Sequence, residues 1–400
     1  MTQEKKTSLL PVTTSNVAIV VCAWPPLGGG IGNNAYYHAK ELGQLDYDVS
    51  VFTPLAASAS ISKKSSQRDK FSLNYEKVWF KFGKAGFLFS LFGRLKDSDI
   101  IHLYHPFFGT DLIIGWFKKR HPEKKLILHY EMDPIGRGWQ KIFFKLYFKL
   151  FFGWLVGLSD RIVVLSFDHG KNSYLKKHLN NDPSKYVEIP NGIRTDIFKP
   201  SEKNKQLRAD LGIGVEDKVV IFVGGLDDQH FFKGVDVLLQ AFKKLDFKNK
   251  KLLIVGDGNR RGDFEITADK LGIKNQVIFT GWIKNEELSE FYALADIFVL
   301  PSTESTESFG IVIAEAQATG LPAIVSNWPG SRQTIVDGQT GFLVEPRNVD
   351  DLKDKMEKMF SDDDLRIKMG KEATINSHKK YNWSEVIKKI DNLYKDLQNE

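Results

Sequence analysis

The chain has 400 residues, of which 42% are hydrophobic and 26% are charged. It is longer than the roughly 250–300 residues at which one hydrophobic core stops growing, so two domains are predicted, and its globular composition excludes extended disorder and a fibrous repeat. The net charge of +6 is uneven, because residues 1–200 hold 28 Lys and Arg against 17 Asp and Glu, whereas residues 201–400 hold 28 against 33. The basic first half favours an anionic partner.

The single cysteine, Cys22, excludes a disulfide within one chain and a cysteine-rich metal site. The first residues are interrupted by Pro11 and by polar side chains, which is unlike a signal peptide. No apolar run reaches the ~18 residues of a membrane span. We therefore expect a cytoplasmic protein.

Short apolar runs alternate with longer helical patterns along the whole chain, as in βαβ units. In the first half the predicted strands are residues 17–22, 49–52, 100–103, 126–129 and 162–165. In the second half they are residues 219–223, 252–255, 277–280, 297–300, 323–325 and 341–344. The fold class predicted is α/β, with two doubly wound domains.

The domain boundary is predicted where Pro200, Ser201 and a charged polar stretch separate the two strand series. This places one domain at residues 1–198 and the other at 199–381. Apolar residues recur at helical spacing in residues 382–400, so an amphipathic helix is predicted there. Asn382 with Glu385 resembles a capping pair at its start.

A motif with two carboxylates follows the predicted strand at 297–300 and opens a predicted helix. Its glutamates, Glu307 and Glu315, lie eight positions apart. The start of a helix offers N–H groups and a positive dipole end, which suit a diphosphate. Glu307 is then expected beside a bound sugar, and Glu315, about two turns into the helix, near a ribose.

At this point the sequence resembles the large family of retaining glycosyltransferases with a GT-B fold, whose E-x7-E motif matches these two glutamates. The resemblance spans nearly the whole chain. It also includes the glycine run at 28–32, His129 at a strand end, Asn191-Gly192, Lys233-Gly234 and the glycines at 256 and 258. It implies two Rossmann-like domains facing across a cleft, with the C-terminal helix docking back on the N-terminal domain.

The resemblance also implies roles for individual residues. Residues 1–198 would bind the acceptor and residues 199–381 the nucleotide sugar, with Glu307 on the donor-sugar hydroxyls, Glu315 on the ribose and Lys233 on the departing diphosphate. His129 completes the catalytic candidates, as a ligand of the donor sugar. The further donor-binding candidates are Gly29, Gly30, Gly225, His230, Gly256, Gly258, Ile283, Phe309, Gly310 and Ile311. The acceptor-side candidates are His105, Asp133 and Arg137.

Two positions depart from the family pattern. Gly225 stands where the family often has arginine, and Gln333 stands where it often has glutamate. His230 or Arg332 is a candidate replacement for the missing phosphate ligand. These departures keep a catalytically silent nucleotide-sugar binder open as an alternative, beside a phosphorylase or epimerase on the same fold.

Neither a dinucleotide cofactor nor a metal is expected. The glycine run lacks the G-x-G-x-x-G spacing, and the second predicted strand has no acidic residue after it for a ribose. The D-x-D-like pairs at 46–48 and 97–99 come directly before strands and are typical of turns. The donor is therefore predicted to be a co-substrate, UDP- or GDP-linked.

The expected partners follow from the basic half. Lys141, Lys145 and Lys149 recur every four residues among Phe, Leu, Tyr and Trp, as in a helix lying in a membrane interface. A plain core helix with solvated lysines is the competing interpretation. We expect a glycan or a polyprenyl- or other lipid-linked acceptor and peripheral contact with an anionic membrane on its cytoplasmic face, in surface polysaccharide or glycolipid synthesis, and no nucleic-acid partner.

Overall fold

The computed structural model describes residues 15–25, 29–55, 70–82, 85–134, 136 and 138–400. These residues form two compact units. The first unit contains the chain up to His129 together with residues 154–161 and 394–400, and the second contains residues 130–153 and 162–393. The predicted boundaries at 198/199 and 381/382 stay predictions.

The first parallel sheet has seven strands in the order β3-β2-β1-β6-β7-β8-β9. These strands are β1 (Asn16–Val20), β2 (Asp48–Pro54), β3 (Ser72–Glu76), β6 (Ile100–His105), β7 (Lys125–Tyr130), β8 (Arg161–Val164) and β9 (Tyr186–Glu188). A separate hairpin joins β4 (Lys81–Phe82) and β5 (Ala85–Gly86). All five strands predicted in this half are confirmed. The two strands of this sheet that the pattern missed, β3 and β9, lie at its edges, where a strand need not be apolar on both faces, and the short hairpin strands β4 and β5 were also missed.

The second parallel sheet has six strands in the order β12-β11-β10-β13-β14-β15. They are β10 (Lys218–Val223), β11 (Lys250–Val255), β12 (Val277–Gly281), β13 (Ile297–Leu300), β14 (Ala323–Ser326) and β15 (Gly341–Val344), and each had been predicted. The central strands are continuous apolar runs because helices cover both faces. The next strand after β10 in sequence, β11, pairs with one edge of β10, and β13 pairs with its other edge. The strand order therefore reverses between β10 and β13, which makes this the topological switch point of the sheet.

Helices flank both sheets. Those in the first half are α1 (Gly29–Leu42), α2 (Leu91–Arg94), α3 (Thr110–Arg120), α4 (Trp139–Tyr147), α5 (Gly153–Leu158), α6 (Phe167–Lys171) and α7 (Lys176–Asn181). Those in the second half are α8 (Lys205–Asp210), α9 (Val235–Lys244), α10 (Arg261–Lys270), α11 (Asn285–Leu294), α12 (Ile311–Ala318), α13 (Val349–Ser361), α14 (Asp363–Tyr381) and α15 (Trp383–Gln398). None of the described helices has the length and apolar character needed to cross a membrane.

The start of the C-terminal helix is fixed by contacts on both sides of Asn382. The Asn382 side chain accepts a hydrogen bond from the Ser384 backbone N–H at 3.0 Å, which confirms it as the cap. The Glu385 carboxylate instead accepts from Lys388 at 2.7 Å. The indole of Trp383 lies against Gly192, where any added Cβ would overlap its ring. This contact gives the Asn191-Gly192 motif a packing role.

Candidate functional site

The strongest candidate site lies at the carboxyl ends of β10 and β13. Ligands of open α/β sheets bind at such a switch point, where loops leave neighbouring strands in opposite directions. The loop after β10 leads to Lys233, and the loop after β13 leads to Glu307. The Lys233 ammonium and the Glu307 carboxylate are 2.6 Å apart, and their side chains are 11% and 15% exposed. Two predicted catalytic residues are therefore an ion pair in the structure.

Two glycines and a short helical turn place Lys233. The turn Phe231–Lys233 ends at Gly234, whose φ of +76° and close approach to the Pro301 carbonyl exclude a side chain. A Cβ at Gly224 would lie 2.7 Å from Cδ of Lys233, so the lysine stem crosses this glycine backbone. These contacts hold the ammonium at the strand ends, where a diphosphate would lie.

Helix α12 begins at Ile311, and its N-cap residue, Gly310, follows the loop that carries Glu307. Gly310 has a φ of +79°, and among the described residues no side chain caps the helix start. Its first N–H groups can therefore serve a ligand. Phe309 packs in the core, edge-on to Tyr381 with ring centroids 5.2 Å apart, so this candidate would act through its backbone. The Ile311 side chain is partly buried against the same core.

Glu315 lies one and a half turns further along α12. The hydroxyl of Tyr292 donates to its carboxylate at 3.3 Å. Burial raises the pKa of Glu315 to about 8, although the hydrogen bond from Tyr292 opposes the rise. The carboxyl group is therefore protonated at neutral pH in the donor-free protein.

Substitution of Glu315 by Gln is expected to flatten the pH dependence of stability. An unfolded glutamate titrates near about 4.3, so between that pH and about 8 the folded chain binds a proton that the unfolded chain lacks. The stabilisation by the buried neutral group is complete below this window and is lost as pH rises through it, by up to about 1.4 kcal/mol per pH unit. Urea unfolding at pH 5, 6, 7 and 8 gives the free energy of unfolding of both proteins. The amount by which wild type exceeds Glu315→Gln should shrink or reverse as the pH rises. Glu286→Gln, on the exposed face of α11, is the control, and an equal slope in wild type and Glu315→Gln would contradict the raised pKa.

His230 occupies the space that a side chain at Gly225 would need. A Cβ at Gly225 would lie 2.6 Å from Nδ1 of His230. Nδ1 of His230 is in turn 2.9 Å from both carboxylate oxygens of Asp227. Burial pushes the pKa of Asp227 up, but hydrogen bonds from His230 and from the Gln229 backbone outweigh it, so the pKa lies below its ordinary value. Asp227 thereby fixes Nδ1 as the donor and leaves Nε2 of His230 to face other groups.

Arg332, the other candidate replacement, is held by a carboxylate. Its Nε and Nη2 donate to Asp168 at 2.8 and 2.5 Å, and the Gly330 N–H adds a bond at 3.1 Å. Burial opposes ionisation of Asp168, but the bond from Arg332 lowers its pKa and raises that of Arg332. Both candidate replacements are thus paired with a carboxylate, and the choice between them stays a prediction.

The remaining glycine candidates in the second unit mark close backbone contacts. A Cβ at Gly256 would overlap the Gly224 carbonyl, and one at Gly258 would lie 2.6 Å from the Asp227 nitrogen. These glycines let the loops after β10 and β11 touch. Ile283 follows β12 and is partly buried against the core.

His129 ends β7 in the first unit and is 2% exposed. Its Nδ1 lies 2.9 Å from Nε2 of His102, and its ring stacks on Tyr104 with centroids 4.5 Å apart. Burial lowers the pKa of His129 to about 3, so the ring is neutral at physiological pH. His102 itself is buried in the same sheet.

The acceptor-side candidates have different surroundings. His105 is buried with Nδ1 3.6 Å from Asp111, and burial lowers its pKa to about 3. Asp133 accepts a hydrogen bond from the Tyr130 hydroxyl, and burial raises its pKa in spite of that bond. Arg137 lies outside the described residues. At the other predicted loop, Gly29 and Gly30 begin α1 and are exposed.

Two family models match consecutive parts of the chain. The family described as Glycosyltransferase Family 4 matches residues 28–197, and the family described as Glycosyl transferases group 1 matches residues 203–375. The chain thus carries a domain of the group 1 glycosyltransferase family at residues 203–375.

Individual relatives agree with these matches. The chain is 33% identical over 220 residues to an uncharacterized glycosyltransferase of Methanocaldococcus jannaschii, covering 54% of this chain and 55% of that protein. It is 32% identical over 252 residues to the D-inositol 3-phosphate glycosyltransferase of Corynebacterium aurimucosum, covering 60% and 58%. The chain thus spans just over half the length of these curated relatives.

A solved structure confirms the GT-B fold. The structure of HepE from Anabaena in complex with UDP matches with a TM-score of 0.76 at 16% identity, over 96% of this chain and 100% of that one. At this identity the likeness shows the fold alone.

Several partners of the candidate site residues lie far from the motifs in sequence. Tyr292 contacts Glu315 from the preceding helix, and Asp168 contacts Arg332 from a position 164 residues earlier. No local pattern marks either residue; only their place on neighbouring elements could have suggested them. Within the described part of the chain no three His, Cys, Asp or Glu side chains are grouped so as to hold a metal ion. Metal independence stays a prediction.

Proposed function

We propose that the chain is a retaining glycosyltransferase that moves a sugar from a nucleotide-sugar donor to a glycan or lipid-linked acceptor. The observation that carries the proposal is the Lys233–Glu307 ion pair at the switch point, beside the start of α12. A lysine here can bind a diphosphate, and a carboxylate 2.6 Å away can accept hydrogen bonds from sugar hydroxyls. The diphosphate and the sugar of a nucleotide sugar would thus both be bound at this one site.

The ion pair is proposed to open when the donor binds. The diphosphate would bind the ammonium of Lys233. The sugar hydroxyls would donate hydrogen bonds to the Glu307 carboxylate and so replace Lys233 as its partner. A pair that is already held in position needs little reorganisation when charge develops on the leaving phosphate. Glu315 would accept from the ribose at the second turn of α12.

The proposed transfer keeps the configuration of the sugar and uses the leaving phosphate as the group that takes the acceptor proton. The cationic stabilisation that a metal would supply would come from Lys233, the start of α12 and His230. His129 is proposed to bind the donor sugar. Asp133 would contact the acceptor.

The donor is proposed to be a UDP-sugar, with a GDP-sugar as the alternative. HepE, which shares the fold, has been solved with UDP, with UDP and glucose, and with UDP-glucose. The loops after β11 and β12, with Gly256, Gly258 and Ile283, would hold the nucleobase through backbone groups.

The test is acceptor-dependent release of nucleoside diphosphate. A thermal-shift screen of UDP-, GDP- and ADP-sugars first selects the donor, because a ligand of the native state raises its apparent stability. Polyprenyl-linked and free glycans are then compared as acceptors, with and without a chelator. Release that needs acceptor and survives chelation supports the proposal. Donor binding without turnover would indicate the silent binder, and cleavage that needs phosphate would indicate a phosphorylase.

We further propose peripheral contact of this cytoplasmic enzyme with an anionic membrane through α4 and the π-helical stretch Phe148–Phe152. Large apolar side chains are exposed along this segment, including Ile142 at 64%, Leu146 at 51% and Leu150 at 60%. The three lysines of the predicted stripe are also exposed, whereas the opposite face is buried in the second unit. A core helix with solvated lysines would not expose such side chains, so this pattern supports an interfacial helix.

Vesicle co-sedimentation is expected to show binding that needs anionic lipid and weakens with salt. Each lysine near the surface contributes on the order of 1 kcal/mol, so the change of Lys141, Lys145 and Lys149 to Glu should abolish the binding. The matched control changes Lys368, Lys371 and Lys379, which are exposed on α14 in the second unit, to Glu and should retain the binding. Equal binding to neutral and anionic vesicles, or none to either, would exclude this membrane contact.

A further inference from the structure

Five buried side chains form a hydrogen-bonded chain in the first unit. The Tyr104 hydroxyl lies 2.8 Å from Nδ1 of His38, whose Nε2 lies 3.2 Å from the Tyr394 hydroxyl. That hydroxyl lies 2.8 Å from Nδ1 of His102, whose Nε2 lies 2.9 Å from Nδ1 of His129. We call these residues the histidine–tyrosine chain. It connects the last turns of α15 with the catalytic candidate His129.

All members of this chain are at most 2% exposed. Burial, and next the neighbouring histidines, lowers the pKa of His38 and of His102 well below the usual range, and burial lowers that of His129 to about 3. Burial also raises the pKa of Tyr394. The rings are therefore neutral, and each neutral imidazole has one N–H donor and one acceptor nitrogen.

This constraint links the proton positions of the three rings. Two arrangements satisfy the four bonds while the Tyr394 hydroxyl both donates and accepts. In the first, Tyr104 donates to His38, and every ring carries its proton on Nε2. In the second, every bond runs the opposite way, and every ring carries its proton on Nδ1. A change at one of these hydrogen bonds therefore changes the tautomer of His129.

The first arrangement is favoured by the tautomer that it assigns to the rings. It places all three imidazoles in the Nε2–H tautomer, which a neutral imidazole intrinsically prefers. This preference acts at each of the three linked rings and points to an N–H at Nε2 of His129.

We propose that Tyr394 is a positioning residue that holds His129 in the Nε2–H tautomer through His102. Nε2 of His129 is then a donor, suited to a sugar hydroxyl or phosphate oxygen, and not a base that takes a proton. The C-terminal helix thereby controls the chemistry of a residue on β7. The role of His129 toward a ligand rests on the proposed function, but its tautomer does not.

Histidine side-chain NMR of the full-length chain tests the proposal directly. Protein labelled with ¹⁵N-histidine gives distinct nitrogen shifts for the two neutral tautomers, and single His→Gln variants assign the signals. In wild type we expect His38, His102 and His129 all to be Nε2–H. In Tyr394→Phe the link is cut, and His129 should become a mixture of both tautomers. Tyr186→Phe, which removes a buried hydroxyl that bonds no described residue, should leave the His129 signals unchanged.

The wild-type measurement keeps the proposal falsifiable even if Tyr394→Phe does not fold. Rings with different tautomers, or all three in the Nδ1–H form, would overturn the assigned arrangement. An unchanged His129 in a folded Tyr394→Phe variant would overturn the control by Tyr394.

Kinetics separate this proposal from the proposed function. If Nε2–H is the competent form, turnover of Tyr394→Phe should fall in proportion to the lost fraction of that tautomer, about two- to tenfold. Donor binding, measured as the dissociation constant of UDP, should not change. A tautomer shift without any change in turnover would leave the chain of bonds established and would remove His129 from the reaction.

Discussion

Lys233→Ala is expected to lower turnover by roughly two to three orders of magnitude. In the proposed reaction the leaving diphosphate gains negative charge in the transition state, and Lys233 is a cation fixed by the tight packing over Gly224 and before Gly234. Substitution by a flexible or more distant cation would not restore this geometry. Because the ammonium also contacts the ground-state diphosphate, the affinity for UDP should fall together with the turnover.

The control for Lys233→Ala has to separate catalysis from stability. The change leaves Glu307 partly buried without its partner, which by itself destabilises the fold. Lys250 is a buried lysine of the same unit whose ammonium donates to the backbone carbonyls of Phe242 and Leu245. Lys250→Ala should lower the melting temperature but leave kcat near the wild-type value. Turnover of Lys233→Ala equal to that of Lys250→Ala would exclude a role for Lys233 at the leaving group.

The strands and loops that carry this site can be predicted from the sequence because they depend on local patterns. Apolar runs of three to five residues located every strand of the second sheet, and the sharp change from β13 to polar loop to helix located Glu307 and Glu315. Parallel strands buried on both faces leave such a pattern in any chain. The strand ends then follow from the order of the elements.

The partners of the site residues could not be predicted because they depend on how distant elements meet. The spacing of Lys233 and Glu307, 74 residues apart, gives no sign that the two form an ion pair without a donor. The same holds for the histidine–tyrosine chain, in which Tyr394 reaches His102 across 292 residues. Gly225 shows the opposite case, because a departure from the family pattern is explained by His230 in the space beside it. The roles of all these residues in binding and catalysis stay predictions.

Glu307→Ala is expected to depress turnover roughly 10- to 100-fold without weakening UDP binding. A hydrogen bond to a charged group contributes about 1.5–3 kcal/mol, and Glu307 would form such bonds to the reacting sugar. In the donor-free protein the same carboxylate competes for Lys233 at 2.6 Å. Its removal frees the ammonium for the diphosphate, so the dissociation constant of UDP should stay the same or decrease. Lys233→Ala, in contrast, should increase the dissociation constant of UDP.

The matched control lies in the same loop. Glu304 pairs with Arg347 at 3.5 Å near the surface, so Glu304→Ala removes a carboxylate from this loop without touching the Lys233 ion pair. Steady-state kinetics and calorimetric titration with UDP on Glu307→Ala, Glu304→Ala and wild type give both quantities. Glu304→Ala should match wild type in each. UDP lacks the transferred sugar, so a residue that contacts only that sugar cannot contribute to the affinity for UDP. Weaker UDP binding in Glu307→Ala would therefore mean that the carboxylate maintains the structure of the site and does not bind the sugar.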